Sequence, residues 1–279
     1  MHASDDLARA TDFEQAQPGQ HRYAAIVEYL GTGFAGWQRQ QHAETVQSAV
    51  ERALSIVAAQ SIEVVCAGRT DAGVHATYQV IHFDSEVSRS AIAWIRGANS
   101  HLPKRIRLLW AGEVAVDFHA RFQARQRSYR YIIASRHVRP ALQHEQVAWT
   151  YKVLDAQRMH AAGQALIGEH DFSSFRASEC QASHPRRRIS RLAVSRRGDF
   201  LYLDIEANAF LHHMVRNIAG ALMAVGAGDQ PVEWLAEVLQ ARDRRVAGVT
   251  APAQGLYLVG VGYPQRFELP PPGPPPMFS

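Results

Sequence analysis

The sequence predicts an α+β fold made of two pseudo-symmetric lobes, each a βαββαβ unit with an antiparallel sheet, and an active-site cleft between them. Apolar residues alternate with period two in some short segments and recur every three to four residues in others. The two patterns follow one another in the same order in residues 21–117 and in residues 118–265. These stretches share no obvious sequence identity, so what repeats is the pattern.

In the first half, RYAAIVEYL (22–30) alternates as a strand does. TVQSAVERALSIV (45–57) puts Val46, Val50, Leu54 and Val57 on one helical face behind Thr45, whose hydroxyl can cap the first turn. IEVVC (62–66) and YQVIHF (78–83) read as two strands joined by a glycine-rich loop, and a helix around Ile92 and Ile95 leads to the strand IRLLWAGEV (106–114). The second half restarts with the strand SYRYIIAS (128–135) and a helix carrying Met159, Ala162, Leu166 and Ile167. ISRLAVS (189–195) and FLYLDIEA (200–207) form a hairpin around Arg197-Gly198-Asp199. A helix from about Leu211 to Val225 stops at Gly226 and Gly228, another follows Pro231, and GLYLVGVGY (255–263) is the last strand. Residues 1–20 lack periodicity, and residues 266–279, ending in PPPGPPPMFS, cannot build a core; both are expected to be disordered extensions.

A chain of 279 residues with 47% hydrophobic residues can bury a sizeable core. No apolar run reaches the roughly 18 residues of a membrane span, and MHASDDLARATDFEQ is too polar for a secretory signal, so a cytoplasmic protein with no membrane association is expected. Cys66 and Cys180 alone make neither a disulfide framework nor a thiolate zinc site. The formal charge is only +4, yet lysine occurs only at Lys104 and Lys152 and the remaining basic residues are arginine. Arg121, Arg125, Arg127 and Arg130 lie close in sequence, as do Arg186, Arg187, Arg188, Arg191, Arg196 and Arg197, with almost no acids between them. Guanidinium groups at that density suit a polyanion, which makes nucleic acid the expected partner class.

GTGFAG (31–36) matches the dinucleotide pattern G-x-G-x-x-G, but the helix begins about nine residues too late to meet a pyrophosphate, and the second strand ends in Cys66-Ala67-Gly68 with no acid for a ribose. A polar loop is expected instead, with Gln38, Arg39 and Gln40 free to touch a ligand. His75, His82 and Asp84, or His212 and His213 with Glu206, offer metal-ligand types without a zincin pattern, and adjacent histidines on a helix point apart, so no metal is expected. There is neither a G-x-S-x-G elbow nor a Walker sequence.

CAGRTDAGVHA (66–76) survives this elimination. A carboxylate at the centre of a glycine loop would repel phosphate, so Asp71 is not a phosphate holder. A neighbouring cation keeps an aspartate ionised, which suits a nucleophile or a stabiliser of positive charge better than a general acid. Asp71 could equally cap a turn with Arg69 as a surface side chain, although Ala72 and Gly73 leave room for a bulky substrate.

AGRTDAGVHA resembles the catalytic motif of the tRNA pseudouridine synthase A (TruA-type) family. YLGTGFAGWQRQ (29–40), FHARFQA (118–124), RSYRY (127–131), DFSSFRASECQ (171–181), NAFLHHMVRNIAG (208–220) and APAQGLYL (251–258) resemble further segments of that family in the same order, and the likeness runs from about residue 22 to 264. The resemblance implies RRM/ferredoxin-like lobes and an enzyme that isomerises uridine to pseudouridine at positions 38, 39 and 40 of the tRNA anticodon stem-loop, without a cofactor and as a homodimer. It implies that Asp71 is the nucleophile, attacking C1′ or C6 or supporting a glycal-forming route, on a base flipped out of its stack. Arg69 resembles the arginine that holds that base, Tyr129 the tyrosine that stacks on it, and Arg216 the arginine paired with the catalytic acid. His119, Arg121, Phe122, Gln38, Gln181 and Arg187 fall at positions expected to contact tRNA. Two rivals are a tRNA-binding protein without activity and a nucleoside glycosidase, which would need a second carboxylate; Asp84 is the nearest in sequence.

Overall fold

The structure, a computed structural model, describes residues 19–180 and 182–278. In chain order the first half contains β1 (His21–Tyr29), α1 (Val46–Ala58), β2 (Val65–Cys66), β3 (His75–Ser85), α2 (Ala91–His101) and β4 (Ile106–Glu113). The second contains β5 (Gln126–Ser135), β6 (Ala148–Thr150), α3 (Ala156–Gly163), β7 (Gly168–Asp171), β8 (Arg186–Arg197), β9 (Phe200–Ala207), α4 (Met214–Gly226), α5 (Trp234–Ala241) and β10 (Leu256–Gly262). Thr45 does cap α1: its side chain accepts from the Ser48 amide while the Ser48 hydroxyl accepts from the Thr45 amide, an arrangement that stabilises a helix start by about 1 kcal/mol.

The expectation of one sheet per lobe is corrected. The strands form a single sheet in the order β4-β1-β3-β10-β5-β9-β8-β7, with β2 added to β3 and β6 to β5. The joint is a short parallel pairing of Tyr257 with His75 and Leu258 with Ala76. It exists because β3 starts three residues earlier than its alternation suggested, while β2 occupies only Ile81 and His82 on that edge. The uncovered edge would be open to foreign strands, and β10 fills it. IEVVC falls short of a full strand because α1 takes its donors: the Val64 amide donates to Glu51 Oε1 at 3.1 Å and the Ile62 amide to Ser55 Oγ at 2.8 Å.

Alternation along β5 separates two faces. Tyr129, Tyr131 and Ile133 belong to the main core, which includes Leu54, Ile81, Phe83, Trp94, Met159 and Leu222 beneath the helices. Ile132 and Ala134 face a smaller cluster with Val147, Phe200, Tyr202 and Tyr257. Of the tail expected to be disordered, Phe267 joins the main core, and residues 270–278 run on across the sheet to the second face. Prolines lack amide donors, so mainly carbonyls need partners there, and the sheet supplies them: Tyr78 Oη donates to Pro270 O and Arg130 to Pro276 O at 3.1 Å. Tyr202 Oη donates to Phe278 O at 2.6 Å and accepts from its amide at 2.8 Å. Of the N-terminal extension, residues 1–18 lie outside the described residues.

Candidate active site

Asp71 opens a tight turn that the Val74 amide closes on the Asp71 carbonyl at 3.1 Å, with Gly73 at φ +79° where a side chain would be strained. The first half braces this turn from behind. Thr70 is buried with its hydroxyl 2.8 Å from Tyr29 Oη, its carbonyl accepts from the Trp37 amide at 3.0 Å, and Gln79 donates to Gly68 O at 2.7 Å. Gly36, at φ +91°, lies so close that a Cβ there would stand 2.9 Å from Thr70 O and 3.1 Å from the Ala72 amide. GTGFAG therefore supports the Asp71 turn. Arg39 is bonded to Glu51 and Gln40 to Ala35 O, so of the three polar side chains expected to be available there only Gln38 projects without a partner among the described residues.

The second half holds the carboxylate itself. Arg216 donates from Nη1 to Asp71 Oδ2 at 3.1 Å and from Nε to Ala251 O at 2.9 Å, while the Ala251 amide returns to Arg216 O at 3.1 Å. His212 Nε2 stands 3.2 Å from Oδ1 and His213 Nε2 3.2 Å from Oδ2. The two imidazoles reach one carboxylate because they precede α4: His213 is left-handed at φ 60°, which starts the helix at Met214 and defeats the expectation that neighbouring histidines diverge. Burial holds the His213 imidazole below its ordinary pKa, with Asp71 opposing that trend. The Asp71 side chain remains 21% exposed, so a substrate can reach it.

Tyr129 packs edge-on against Phe210 at 5.1 Å. Burial pushes its phenol well above the ordinary range, Arg127 opposes this, and Asp71 is near enough to add to it, so the hydroxyl stays protonated. Arg69 is exposed and has no hydrogen bond or ion pair among the described residues. Phe122 is 59% exposed with the Arg121 guanidinium 5.4 Å from its ring centre. His119 is turned inward: Nδ1 accepts from the Arg121 and Phe122 amides at 3.2 Å, and burial lowers its pKa to about 4. It shapes the loop that displays those two residues. Arg187 donates to His184 O at 3.0 Å and Arg186 O at 2.6 Å. Gln181 lies outside the described residues.

Sequence reasoning missed two features. It read Arg127 as part of a polyanion-binding cluster, but this guanidinium donates to Ala67 O, Arg121 O, Ala124 O and Asn208 O, each at 2.9 Å. It ties the start of the Asp71 loop to two other loops, and nothing in an arginine's sequence position separates that role from phosphate binding. Arg130, from the same cluster, forms a two-pronged pair with Asp204 at 2.7 and 2.8 Å on the other face of the sheet. The second omission is the approach of both histidines to Asp71. Among the other histidine sets, His75 lies between the Gly31 amide and Gln254 O, His82 Nδ1 accepts from the Ala120 amide, and Glu206 bonds Ser128 and Ser190. Asp84 is held by Arg22 at 2.8 and 2.7 Å and takes no part in the Asp71 cluster.

A profile of the family described as tRNA pseudouridine synthase matches residues 25–123, which contain Asp71, and 162–264, which contain His212, His213 and Arg216. The chain is 56% identical over 257 residues to a protein named tRNA pseudouridine synthase A from Legionella pneumophila (strain Lens), covering 92% of this chain and 98% of that one. It is 54% identical over 249 residues to one of the same name from Vibrio parahaemolyticus, covering 89% and 94%. A third, from Hydrogenovibrio crunogenus, is 54% identical over 244 residues, covering 88% and 93%.

Proposed function

We propose, on the premise that this chain belongs to the tRNA pseudouridine synthase family, that Asp71 is the nucleophile with which it isomerises uridine to pseudouridine at positions 38, 39 and 40 of the tRNA anticodon stem-loop. The reaction breaks the bond from ribose C1′ to uracil N1, turns the base, joins C5 to C1′ and, in net, moves the C5 proton to N1. Atoms and electrons are conserved within one nucleotide, so the chemistry calls for no cofactor. The observation that carries the reading is an Asp71 carboxylate open to substrate on one side and held by Arg216, His212 and His213 on the other. Attack at C1′, attack at C6 and the glycal-forming route all require a carboxylate oxygen beside the sugar–base junction.

The uridine must leave its stack at a cost of a few kcal/mol. Tyr129 supplies the flat surface that receives it, and its protonated phenol can take the C5 proton only while passing its own on toward N1, the net move the reaction requires. Arg69, exposed beside the turn, enters the space the flipped nucleotide vacates. Arg121, Phe122 and Arg187 contact the tRNA backbone and set register, with Gln38 and Gln181 as further contacts and His119 acting through its loop. Two RRM/ferredoxin-like lobes are supported by strand order: β4-β1-β3-β2 in one half and, with the short β6 and β7 set aside, β10-β5-β9-β8 in the other both run fourth, first, third, second in chain order. A cytoplasmic homodimer in which one tRNA touches both subunits belongs to the same reading and rests on the family resemblance.

The test is Asp71→Ala incubated with unmodified tRNA and no added cofactor, followed by carbodiimide mapping. The variant is expected to bind tRNA with nearly unchanged affinity and to form no pseudouridine. Pseudouridine from the variant would refute the assignment, and free uracil from the unaltered protein would mark a glycosidase.

A further inference from the structure

We infer that Asp71, His212 and His213 form a latent transition-metal site, which Arg216 guards, so that zinc-like cations inactivate the enzyme by competing with Arg216 for the Asp71 carboxylate. One potential ligand atom from each of the three residues lies within 4.8 Å of the other two. Both imidazoles present Nε2, one to each carboxylate oxygen, at 3.2 Å. Tetrahedral Zn²⁺ with ligands at about 2.0–2.1 Å keeps neighbouring donor atoms about 3.4 Å apart, close to each Nε2–oxygen separation and within about 1.4 Å of the widest spacing the three ligand atoms can have. Two imidazoles and a carboxylate are also a donor set that divalent late transition metals prefer over Mg²⁺ or Ca²⁺. A neutral imidazole binds metal through Nε2 by carrying its proton on Nδ1, so binding does not depend on losing a second proton.

Arg216 opposes this. Its Nη1 lies 3.1 Å from Oδ2, and a permanent guanidinium charge cannot remain there beside a divalent cation. Its Nε bond to Ala251 O gives the side chain an anchor when Nη1 yields. The arginine thus has a second role besides compensating the acid: it keeps the nucleophile free of metal. The metal-binding inference stands on geometry alone; its inhibitory consequence rests on Asp71 being the nucleophile.

The test uses the full chain without an affinity tag. Co²⁺ titration is followed by visible absorption, which intensifies when the ion enters a low-coordinate site, and Zn²⁺ titration is followed by pseudouridine formation. One equivalent of Co²⁺ is expected to develop the absorption and Zn²⁺ to abolish it and turnover together, with tRNA protecting. His212→Ala and His213→Asn are expected to weaken binding about tenfold or more, the scale on which even outer-shell changes act. Asparagine tolerates the left-handed backbone at 213 and lacks a metal-binding nitrogen, so folding is preserved. Arg216→Ala is expected to tighten Co²⁺ binding by a similar factor. Cys180 Sγ, 3.4 Å from the His212 amide, is the rival ligand; loss of absorption in Cys180→Ser with retention in His213→Asn would overturn the inference, as would an unchanged affinity in Arg216→Ala. The two readings fail separately. An Asp71→Ala protein that loses the Co²⁺ absorption but still forms pseudouridine removes the nucleophile and leaves the metal site. An inactive Asp71→Ala beside a wild type that never develops the absorption does the reverse.

Discussion

Replacing Arg127 with methionine keeps most of the apolar stem and removes the guanidinium. Its bonds to Ala67 O and Ala124 O are partly buried, whereas those to Arg121 O and Asn208 O are exposed enough for water to take over. A hydrogen bond from a charged donor contributes about 1.5–3 kcal/mol, so the two sheltered bonds place the loss near 3–6 kcal/mol. Arg127→Met should therefore lower the urea midpoint by about 1 M or more. It should also lower kcat, because the loop leading to Asp71 loses its tie at Ala67. Tight binding of tRNA should persist with an unchanged dependence on salt. A phosphate-contacting arginine behaves in the opposite way: stability holds and the salt slope falls by about one unit. An Arg127→Met protein with a wild-type midpoint and a reduced salt slope would refute the internal role.

Gly36→Ala should reduce kcat far more than it raises KM for tRNA: the left-handed backbone costs alanine about 1–2 kcal/mol and the new methyl meets Thr70 O at 2.9 Å, displacing the Asp71 turn; equal effects on both constants would argue against that placement. Burial lowers His75 and His119 to about 4 and His82 to about 3, so below pH 6.5 the unfolded chain takes up protons that the folded one refuses. Stability should fall as pH falls from 6.5 toward 4, by about 2 kcal/mol at pH 5 from His75 alone, and His75→Gln should flatten the urea midpoint against pH; an undiminished slope in that variant would exclude His75 as its source. Removing residues 270–279 uncovers Phe200, Tyr202 and Tyr257 and should lower Tm by several degrees; an unchanged Tm would mean the tail's contacts add nothing to stability.

TVQSAVERALSIV was legible because burial of one helical face imposes a period, whereas RYAAIVEYL and FLYLDIEA are buried on both faces over Tyr23–Val27 and Phe200–Leu203 and are marked as strands by short apolar runs. A period says which side of a strand is buried and does not say what lies along its edge. The single sheet was therefore invisible: the Tyr257–His75 joint uses backbone groups that every residue has. IEVVC alternates well enough for a strand, yet Glu51 and Ser55, more than a turn apart on α1, claim its amides. The proline tail was misread because composition shows that it cannot make a core, not that tyrosines and an arginine elsewhere will bond its carbonyls.

The small loop around Asp71 makes sense as a division of labour across the sheet joint. Thr70, Gly36 and Gln79, all from the first half, fix the backbone of the turn, whereas among the described residues the side chains that pair with the carboxylate, His212, His213 and Arg216, come from the second. The acid is correctly placed only when the two halves are in register. His75 helps maintain that register, accepting from the Gly31 amide at 2.9 Å and lying 3.1 Å from Gln254 O, beside the residues where β3 and β10 pair. The Gly31 amide must be the donor to Nδ1, so the ring proton sits on Nε2 and faces the Gln254 carbonyl, and burial keeps the ring in this neutral form. A loop of small residues lets both halves approach the same carboxylate closely, and a bulkier one would separate them.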